Sequence, residues 1–142
     1  MIDKREFKKI IIDNTNTRIR NDKPLLVLYH NYLYLSKSFI KKLDKSWKYV
    51  IVSTAANCVQ LEFSEKNLQD SIKLLIQSHI NKNTVIEYGK IGNVELCYKL
   101  SKELGLNVDR NCYYKTNDYE YYGNIYQFKF DRTKPSYRKN RK

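Results

Sequence analysis

The strongest constraint on the fold is the apolar and polar alternation in residues 49–63, YVIVSTAANCVQLEF. Val59, Leu61 and Phe63 alternate with polar residues, which is the period of a strand with one buried face. The preceding apolar stretch is separated from this strand by Thr-Ala-Ala-Asn, a polar turn. Two such stretches joined by a short polar turn predict an antiparallel β-hairpin.

The same reasoning assigns the other elements. Short apolar stretches between turn residues predict strands at 25–36 (with a kink), 84–88, 112–116 and 125–130. Apolar residues that recur every three or four positions predict four helices. The first lies near the N-terminus, with the stripe Phe7, Ile11, Thr15 and Ile19, and the second spans 37–43 with Ser36 as its cap. The third spans 67–80 and includes His79 as a half-buried core residue, and the fourth runs from Asn93 to Gly105.

These elements predict an α+β fold. The segments NCVQLEF (57–63) and NIYQFKF (124–130) share Asn, Gln and Phe at matching positions. We therefore expect two small α/β halves with antiparallel hairpins, an N-terminal half at 1–66 and a C-terminal half at 67–130. The remaining residues, 131–142, lack an apolar period and predict a basic tail that is disordered without a partner.

The charge of the chain points to a polyanionic partner. Lysine and arginine together number 27 against 15 acidic residues, for a formal charge of +12. Cations of this density bind phosphates and release counterions. Because Lys, Asn, Ile and Tyr have AT-rich codons, a biased genome can also supply lysines, so the clustering of cations is more informative than their number.

Several classes of function find no support in the sequence. Cys58, Cys97 and Cys112 form no C-x-x-C pair, which disfavours a zinc site and indicates a reduced compartment. His30 and His79 have no acid or nucleophile at a catalytic spacing, so we expect no enzymatic activity and no cofactor. The apolar runs are too short to span a membrane, and the N-terminus resembles neither a secretory signal nor a transit peptide.

One glycine pair has two interpretations. The segment GKIG (89–92) has the spacing of the G-x-x-G loop that binds nucleic-acid backbone in KH domains. That loop joins two helices, whereas a strand precedes this one. A simple strand-to-helix turn is therefore the favoured interpretation.

Two clusters are candidates for RNA binding. The first is a predicted loop at 115–122, in which Lys115, Thr116 and Asn117 lie among tyrosines that could stack on bases. The alternative is that tyrosine is simply a good strand former. The second is the tail, with the cations Arg132, Lys134, Arg138, Lys139 and Arg141. The alternative there is a solvated tail that maintains solubility.

The segment IDNTNTRIRN (12–21) resembles the opening helix of a known family, the small-subunit ribosomal protein numbered eight in the bacterial series. Thr-Arg-Ile-Arg-Asn matches that family's motif, while Asn14 replaces its Asp. The order of the elements that follow is also similar. The resemblance implies that Arg18, Arg20, Ser36 and Lys37 bind RNA. Lys115 to Asn117 would stand in the place of the family's Ser-Thr-Ser-Lys-Gly loop.

The resemblance implies a non-catalytic protein that binds small-subunit rRNA and neighbouring ribosomal proteins, with no membrane and no small-molecule substrate. It places the protein on the ribosome, in the cytoplasm or in a mitochondrion that encodes it. Ribosomal protein eleven of the small subunit is a rival resemblance. Two other hypotheses stay open: a mobile-element protein that binds and inhibits a host protein or nucleoprotein complex, and, with less support, a DNA-binding protein.

Overall fold

The computed structural model describes residues 23–138, except for the side chain of Asn81. Within this range the chain forms eleven β-strands and two α-helices. The strands are β1 (Leu26–Leu28), β2 (Leu33–Leu35), β3 (Tyr49–Ala55), β4 (Cys58–Ser64), β5 (Ile72–Lys73), β6 (Leu75–Asn81), β7 (Thr84–Ile91), β8 (Cys112–Thr116), β9 (Tyr119–Tyr122), β10 (Ile125–Lys129) and β11 (Ser136–Tyr137). The helices are α1 (Lys37–Lys42) and α2 (Val94–Leu104).

The strands form two antiparallel sheets. The six-stranded sheet has the order β11-β8-β1-β2-β7-β6, and the five-stranded sheet has the order β5-β3-β4-β10-β9. Both sheets contain strands from before and after residue 66. The predicted boundary between residues 66 and 67 therefore does not separate one sheet from the other. Antiparallel hairpins are confirmed, and the described part of the chain is richer in strands than the α+β prediction implied.

Helix α1 lies between the two sheets. The ring centroid of Phe39 is 5.1 Å from the centroids of Tyr126 and Phe128 on β10. On the other side, Ile40 packs so closely against β7 that a Cβ atom at Gly89 would lie 2.7 Å from its Cδ1 atom. Apolar residues of both sheets therefore form one buried cluster around this short helix.

The predicted hairpin at 49–63 is confirmed as β3 and β4. Ala56 and Asn57 form its two-residue turn with positive φ angles of 47° and 68°, as type I′ turns require. Val59, Leu61 and Phe63 are fully buried on the inner face of the five-stranded sheet. The segment at 25–36 likewise forms an antiparallel pair, β1 with β2.

The predicted caps of both helices are confirmed. The Oγ atom of Ser36 accepts a hydrogen bond from the Phe39 amide at 3.4 Å, at the start of α1. The Oδ1 atom of Asn93 accepts one from the Leu96 amide at 3.1 Å, at the start of α2. Gly105 closes α2 with a left-handed φ of 66°. Residues 89–91 of the GKIG segment end strand β7, and Gly92 with Asn93 connects this strand to α2, so the strand-to-helix turn is confined to the last residue of the segment.

The predicted helix at 67–80 is wrong. Residues 75–81 form β6, which pairs with β7 along its whole length. A two-residue turn at Lys82 and Asn83 connects the two strands. These two residues have φ angles of 49° and 67°, so the turn suits a type I′ hairpin. Residues four apart share a face in both a helix and a strand, so the spacing of Ile76 and Ile80 fits either structure. His79, expected to be half-buried, is exposed.

The prediction of a disordered tail is also wrong as far as residue 138. Residues 136–137 form β11, which pairs with β8, and the Arg138 amide donates to the carbonyl oxygen of Asn111 at 2.8 Å. The outer edge of β8 thus provides the backbone partners that the sequence alone did not reveal. The predicted loop at 115–122 is wrong too, because β8 and β9 leave only Asn117 and Asp118 between them.

Some predictions lie outside the described residues. These are the N-terminal helix with Arg18 and Arg20, and the tail cations Lys139 and Arg141. Neither of the two helices described is long and apolar enough to cross a membrane.

Candidate nucleic-acid interface

The outer face of the six-stranded sheet carries five half-buried tyrosines. Strand alternation explains their position, because Leu33 and Leu35 point into the core and Tyr34 between them points outward. In β8, Tyr114 is buried and Tyr113 faces the same side as Tyr34. The five tyrosines that define this surface, which we call the tyrosine face, are Tyr29, Tyr32, Tyr34, Tyr88 and Tyr113.

The rings of the tyrosine face form a continuous chain of contacts. The centroid of Tyr29 lies 5.1 Å from Tyr32, 5.0 Å from Tyr113 and 6.5 Å from Tyr34. Tyr34 in turn lies 5.6 Å from Tyr88, whose hydroxyl donates to the side-chain oxygen of Gln77 at 3.0 Å. The surface therefore spans the sheet from β8 to β6.

Burial raises the pKa of two of these tyrosines above their usual range. For Tyr29, the neighbouring Tyr32 and Tyr113 raise the pKa further, and Arg138 partly opposes them. For Tyr34, burial and then Tyr88 are the main causes. Both phenols stay neutral at physiological pH, so their rings and hydroxyl donors are available to a ligand.

Two cations lie directly over this face. The Nζ atom of Lys90 is 4.4 Å from the ring centroid of Tyr32. Its position follows from the sheet register, which sets Lys90 on β7 opposite Tyr34 on β2. The guanidinium carbon of Arg138 is 5.1 Å from the centroid of Tyr29, because β11 holds the preceding residues beside β8. Rings with cations beside them are the elements that bind bases and phosphates together.

A basic groove of about 720 Å³ lies at one end of the same sheet. The end of β8 contributes Lys115, Thr116 and Asn117, and the segment from β10 to β11 contributes Arg132 and Lys134. Lys129 and Asp118 also line this groove. Four cations against one carboxylate give it a positive charge, although the Lys129 ammonium also lies 3.6 Å from the Glu120 carboxylate.

Hydrogen bonds fix the shape of the basic groove. The Thr116 hydroxyl donates to the carbonyl oxygen of Lys129 at 2.8 Å and accepts from the Asp118 amide at 3.1 Å. The Thr133 hydroxyl donates to the Phe130 carbonyl oxygen at 2.7 Å, which holds the opposite wall. Thr116 is thus committed to the frame of the groove, whereas the exposed Lys115 and Asn117 are free to contact a ligand.

The groove and the tyrosine face are one continuous surface. Lys115 lies two residues after Tyr113 on the same face of β8, and it also lines the groove. Ser136 lines the groove and pairs directly with Tyr113. A chain molecule that follows the groove would therefore meet the rings next.

The structure brings together half of the residues that the sequence predicted as RNA-binding. Five of them line the basic groove: Lys115, Thr116, Asn117, Arg132 and Lys134. Arg138 joins the tyrosine face.

Ser36 and Lys37 are not among the residues that form this surface. The Oγ atom of Ser36 accepts hydrogen bonds from the amides of Leu25 at 3.0 Å and Phe39 at 3.4 Å, which stabilises the start of α1. Leu25 lines the basic groove, but the Ser36 hydroxyl is occupied by these two amides. Lys37 is exposed and lines a different groove beside α1.

Sequence reasoning missed most of the tyrosine face. It singled out the tyrosines after residue 112, whereas the tyrosine face is built mainly from Tyr29, Tyr32 and Tyr34 in the first hairpin. Tyr119, Tyr121 and Tyr126 contact one another in the five-stranded sheet instead. The alternation of Tyr and Leu at 32–35 is the signal for the hairpin tyrosines. The sequence places Lys90 only within the GKIG segment.

The two buried thiols belong to the core and not to this surface. Burial raises the pKa of Cys97 to about 12, and it also raises that of Cys112. No cluster of His, Cys, Asp and Glu that could hold a metal occurs within residues 23–138. The Nδ1 atom of His30 and the Oδ1 atom of Asn31 are buried without a hydrogen-bond partner in this part of the chain.

No known protein family, curated protein or solved structure matches this chain. Its function is therefore inferred from the positions and chemistry of its own side chains.

Proposed function

We propose that the protein binds single-stranded RNA across the tyrosine face and the basic groove. The observation that carries the proposal is the chain of five tyrosines linked by four ring contacts, with Lys90 and Arg138 over two of the rings, that continues into a groove with four cations. Exposed aromatic rings on a sheet stack with unpaired bases, and cations beside them bind the phosphates. A duplex hides the faces of its bases, so a single strand is the better fit.

The direct test is a binding titration by fluorescence anisotropy with labelled RNA of about 12 nucleotides, within the span of single-strand binding sites. We expect the single strand to bind more tightly than a duplex of the same sequence, with affinity that falls steeply as salt is added. Single-stranded DNA of the same sequence measures the contribution of the 2′-hydroxyl groups. Equal binding of duplex and single strand, or no binding at low salt, would reject the proposal.

The narrower form of the proposal is that the RNA is small-subunit rRNA. Its support is the resemblance of residues 12–21 to a ribosomal protein, together with the charge of +12. A sucrose gradient of native lysate, with the protein located by mass spectrometry, tests this form. Migration with the small subunit at moderate salt is expected, and migration at the top of the gradient would restrict the protein to RNA that is not ribosomal.

A further inference from the structure

A second groove, of about 480 Å³, lies between α1 and the hairpin of β6 and β7. We call it the hairpin groove. Ile40, Trp47 and Leu74 contribute apolar surface to its walls, and Ile76 and Val85 line the hairpin side. Because side chains alternate along a strand, Ile76 and Val85 point to the opposite side of the sheet from Tyr88. The hairpin groove is therefore separate from the tyrosine face.

The hairpin extends beyond the core and exposes apolar side chains on the face that it shares with the groove. Ile76 is 40% exposed, Val85 is 63% exposed and Ile80 is 73% exposed. Ile80 and Val85 are directly opposite each other near the end of the hairpin, and Ser78 and Glu87 lie between this pair and Ile76 on the same face. Exposed apolar side chains gathered on one face are typical of a site for protein contact.

Among residues 23–138, strand β6 has one edge without a partner strand. It is the last strand of the six-stranded sheet and pairs there only with β7. In a hairpin closed by a two-residue turn, Asn81 and Thr84 are hydrogen-bonded to each other, so the backbone groups of Ile76, Ser78 and Ile80 point outward. The seven residues of β6, LIQSHIN, include no proline and no Asp, Glu, Lys or Arg. Exposed edge strands usually carry proline or charged residues that prevent pairing with another chain. Because β6 lacks them, its edge is open to a further strand.

Lysines surround the hairpin groove. Lys37, Lys41, Lys45 and Lys48 line it and are exposed. Within residues 23–138 the ion pairs join Lys99 to Glu95 and Lys129 to Glu120, so none of the four is neutralised there.

Two carboxylates, Asp44 and Glu87, also line the hairpin groove. The Asp44 carboxylate accepts hydrogen bonds from the amide of Ser46 at 2.9 Å and from its hydroxyl at 2.8 Å, which lower its pKa. Four lysines against two carboxylates leave the hairpin groove with an excess of positive charge.

We propose that an extended acidic segment of another protein pairs with the edge of β6 and inserts apolar side chains into the hairpin groove. Backbone hydrogen bonds to the edge would supply affinity, and alternate side chains would select for apolar residues on one face and for acidic residues near the lysines. The aliphatic surface offers few rings for bases to stack on, which disfavours RNA. A second copy of this basic chain would meet the same lysines, which disfavours self-association.

The experiment begins with a phage library of random peptides on the order of ten residues, enough to span β6, panned on the full-length protein. We expect enrichment of sequences that carry both apolar residues and Asp or Glu at every second position, because these positions share the face that meets the groove and its lysines. The most enriched peptide is then synthesised with a fluorescent label and titrated against the protein and its variants. No enrichment, or enrichment of basic peptides, would overturn the proposal.

Two variants locate the bound peptide. Ser78→Pro removes one outward amide without a break in the pairing of β6 with β7, and Ser78→Ala is its matched control. Lys37→Glu combined with Lys41→Glu reverses charge beside the groove, and Lys66→Glu combined with Lys99→Glu reverses the same charge elsewhere. We expect both groove variants to weaken peptide binding by about tenfold or more, whereas both controls bind as the unaltered protein does.

The charge-reversal variant changes only exposed side chains, so it tests the site even if Ser78→Pro fails to fold. Equal binding to the protein and to the charge-reversal variant would overturn the proposal. So would displacement of the peptide by the RNA of about 12 nucleotides, or a dimer in sedimentation equilibrium that the peptide dissociates. The outcome is independent of RNA affinity, because the tyrosine face is unchanged in these variants.

Discussion

The ammonium group of Lys90 lies 4.4 Å from the ring centroid of Tyr32, although the two residues come from distant parts of the chain. The antiparallel pairing of β2 with β7 produces this contact, because it sets Lys90 opposite Tyr34, two residues after Tyr32. A cation held over a ring at this distance gains about 0.5–1 kcal/mol at an exposed site. In the RNA complex that we propose, the same side chain would bind a phosphate whose base stacks nearby.

The ring of Tyr34 should contribute directly to RNA binding. Tyr34→Leu keeps apolar cover over the sheet but removes the ring between Tyr29 and Tyr88. We expect the affinity for single-stranded RNA to fall by roughly 1–3 kcal/mol, the contribution of one stacked base. Anisotropy titration measures the loss. Tyr122→Leu, at an 85% exposed tyrosine on a different sheet, is the control and should bind as before.

The cations of the basic groove should determine the salt dependence. Replacement of Lys115, Arg132 and Lys134 by glutamine removes up to three phosphate contacts. For a single strand, each contact contributes about 0.7 to the slope of log affinity against log salt, so the slope should fall by about 2. Dissociation constants measured over a series of salt concentrations give the slope.

The matched control for the salt experiment removes the same charge from another surface. Lys66, Lys73 and Lys99 are exposed and lie outside both the basic groove and the tyrosine face. Their replacement by glutamine should leave the slope within error. An equal decrease in both triple variants would mean that net charge, rather than the groove, drives binding.

Ser36 should matter for folding and not for RNA binding. Ser36→Ala removes the acceptor for the amides of Leu25 and Phe39. Loss of a helix N-cap costs about 0.5–2 kcal/mol, and the partly buried Leu25 amide also loses a partner. Urea unfolding should show the decrease in the free energy of unfolding, while RNA affinity at low denaturant stays constant. A weaker affinity with unchanged stability would contradict this interpretation.

Phe39 should be among the residues on which stability depends most. Its ring is fully buried against the neighbouring strands β4 and β10, with the centroid of Phe63 at 5.9 Å and those of Tyr126 and Phe128 at 5.1 Å. Phe39→Ala should lower the free energy of unfolding by about 3–5 kcal/mol. Phe39→Leu, which fills most of the volume, should cost less, and the ranking of the two variants in urea unfolding checks the packing.

The buried thiol of Cys97 should make stability sensitive to alkaline pH. Its folded pKa is about 12, above the ordinary thiol value of about 8.5. As the pH rises, the unfolded chain therefore loses this proton first. The contribution of the buried thiol to the free energy of unfolding is fully present below about pH 8.5 and is lost as the pH rises towards the folded pKa. Urea unfolding over this range should show a shallower decrease in Cys97→Ala than in the unaltered protein.

The elements that the sequence predicted correctly are those with local signals. The hairpin at 49–63 combines alternation with a polar turn, and both caps, Ser36 and Asn93, act on amides three residues away. Such interactions form within a few residues, so the chain itself specifies them. The helix predicted at 67–80 failed because its four-residue spacing fits a strand equally well, and the choice depended on pairing with β7.

The candidate site divides in the same way. The sequence shows that the protein is basic and rich in tyrosine, and it predicts Lys115, Thr116, Asn117, Arg132, Lys134 and Arg138 among its RNA-binding residues. The fold adds that the first five share one groove and that Arg138 lies over Tyr29. These positions result from pairing between strands far apart in the chain, and no single segment specifies which distant strand it will pair with.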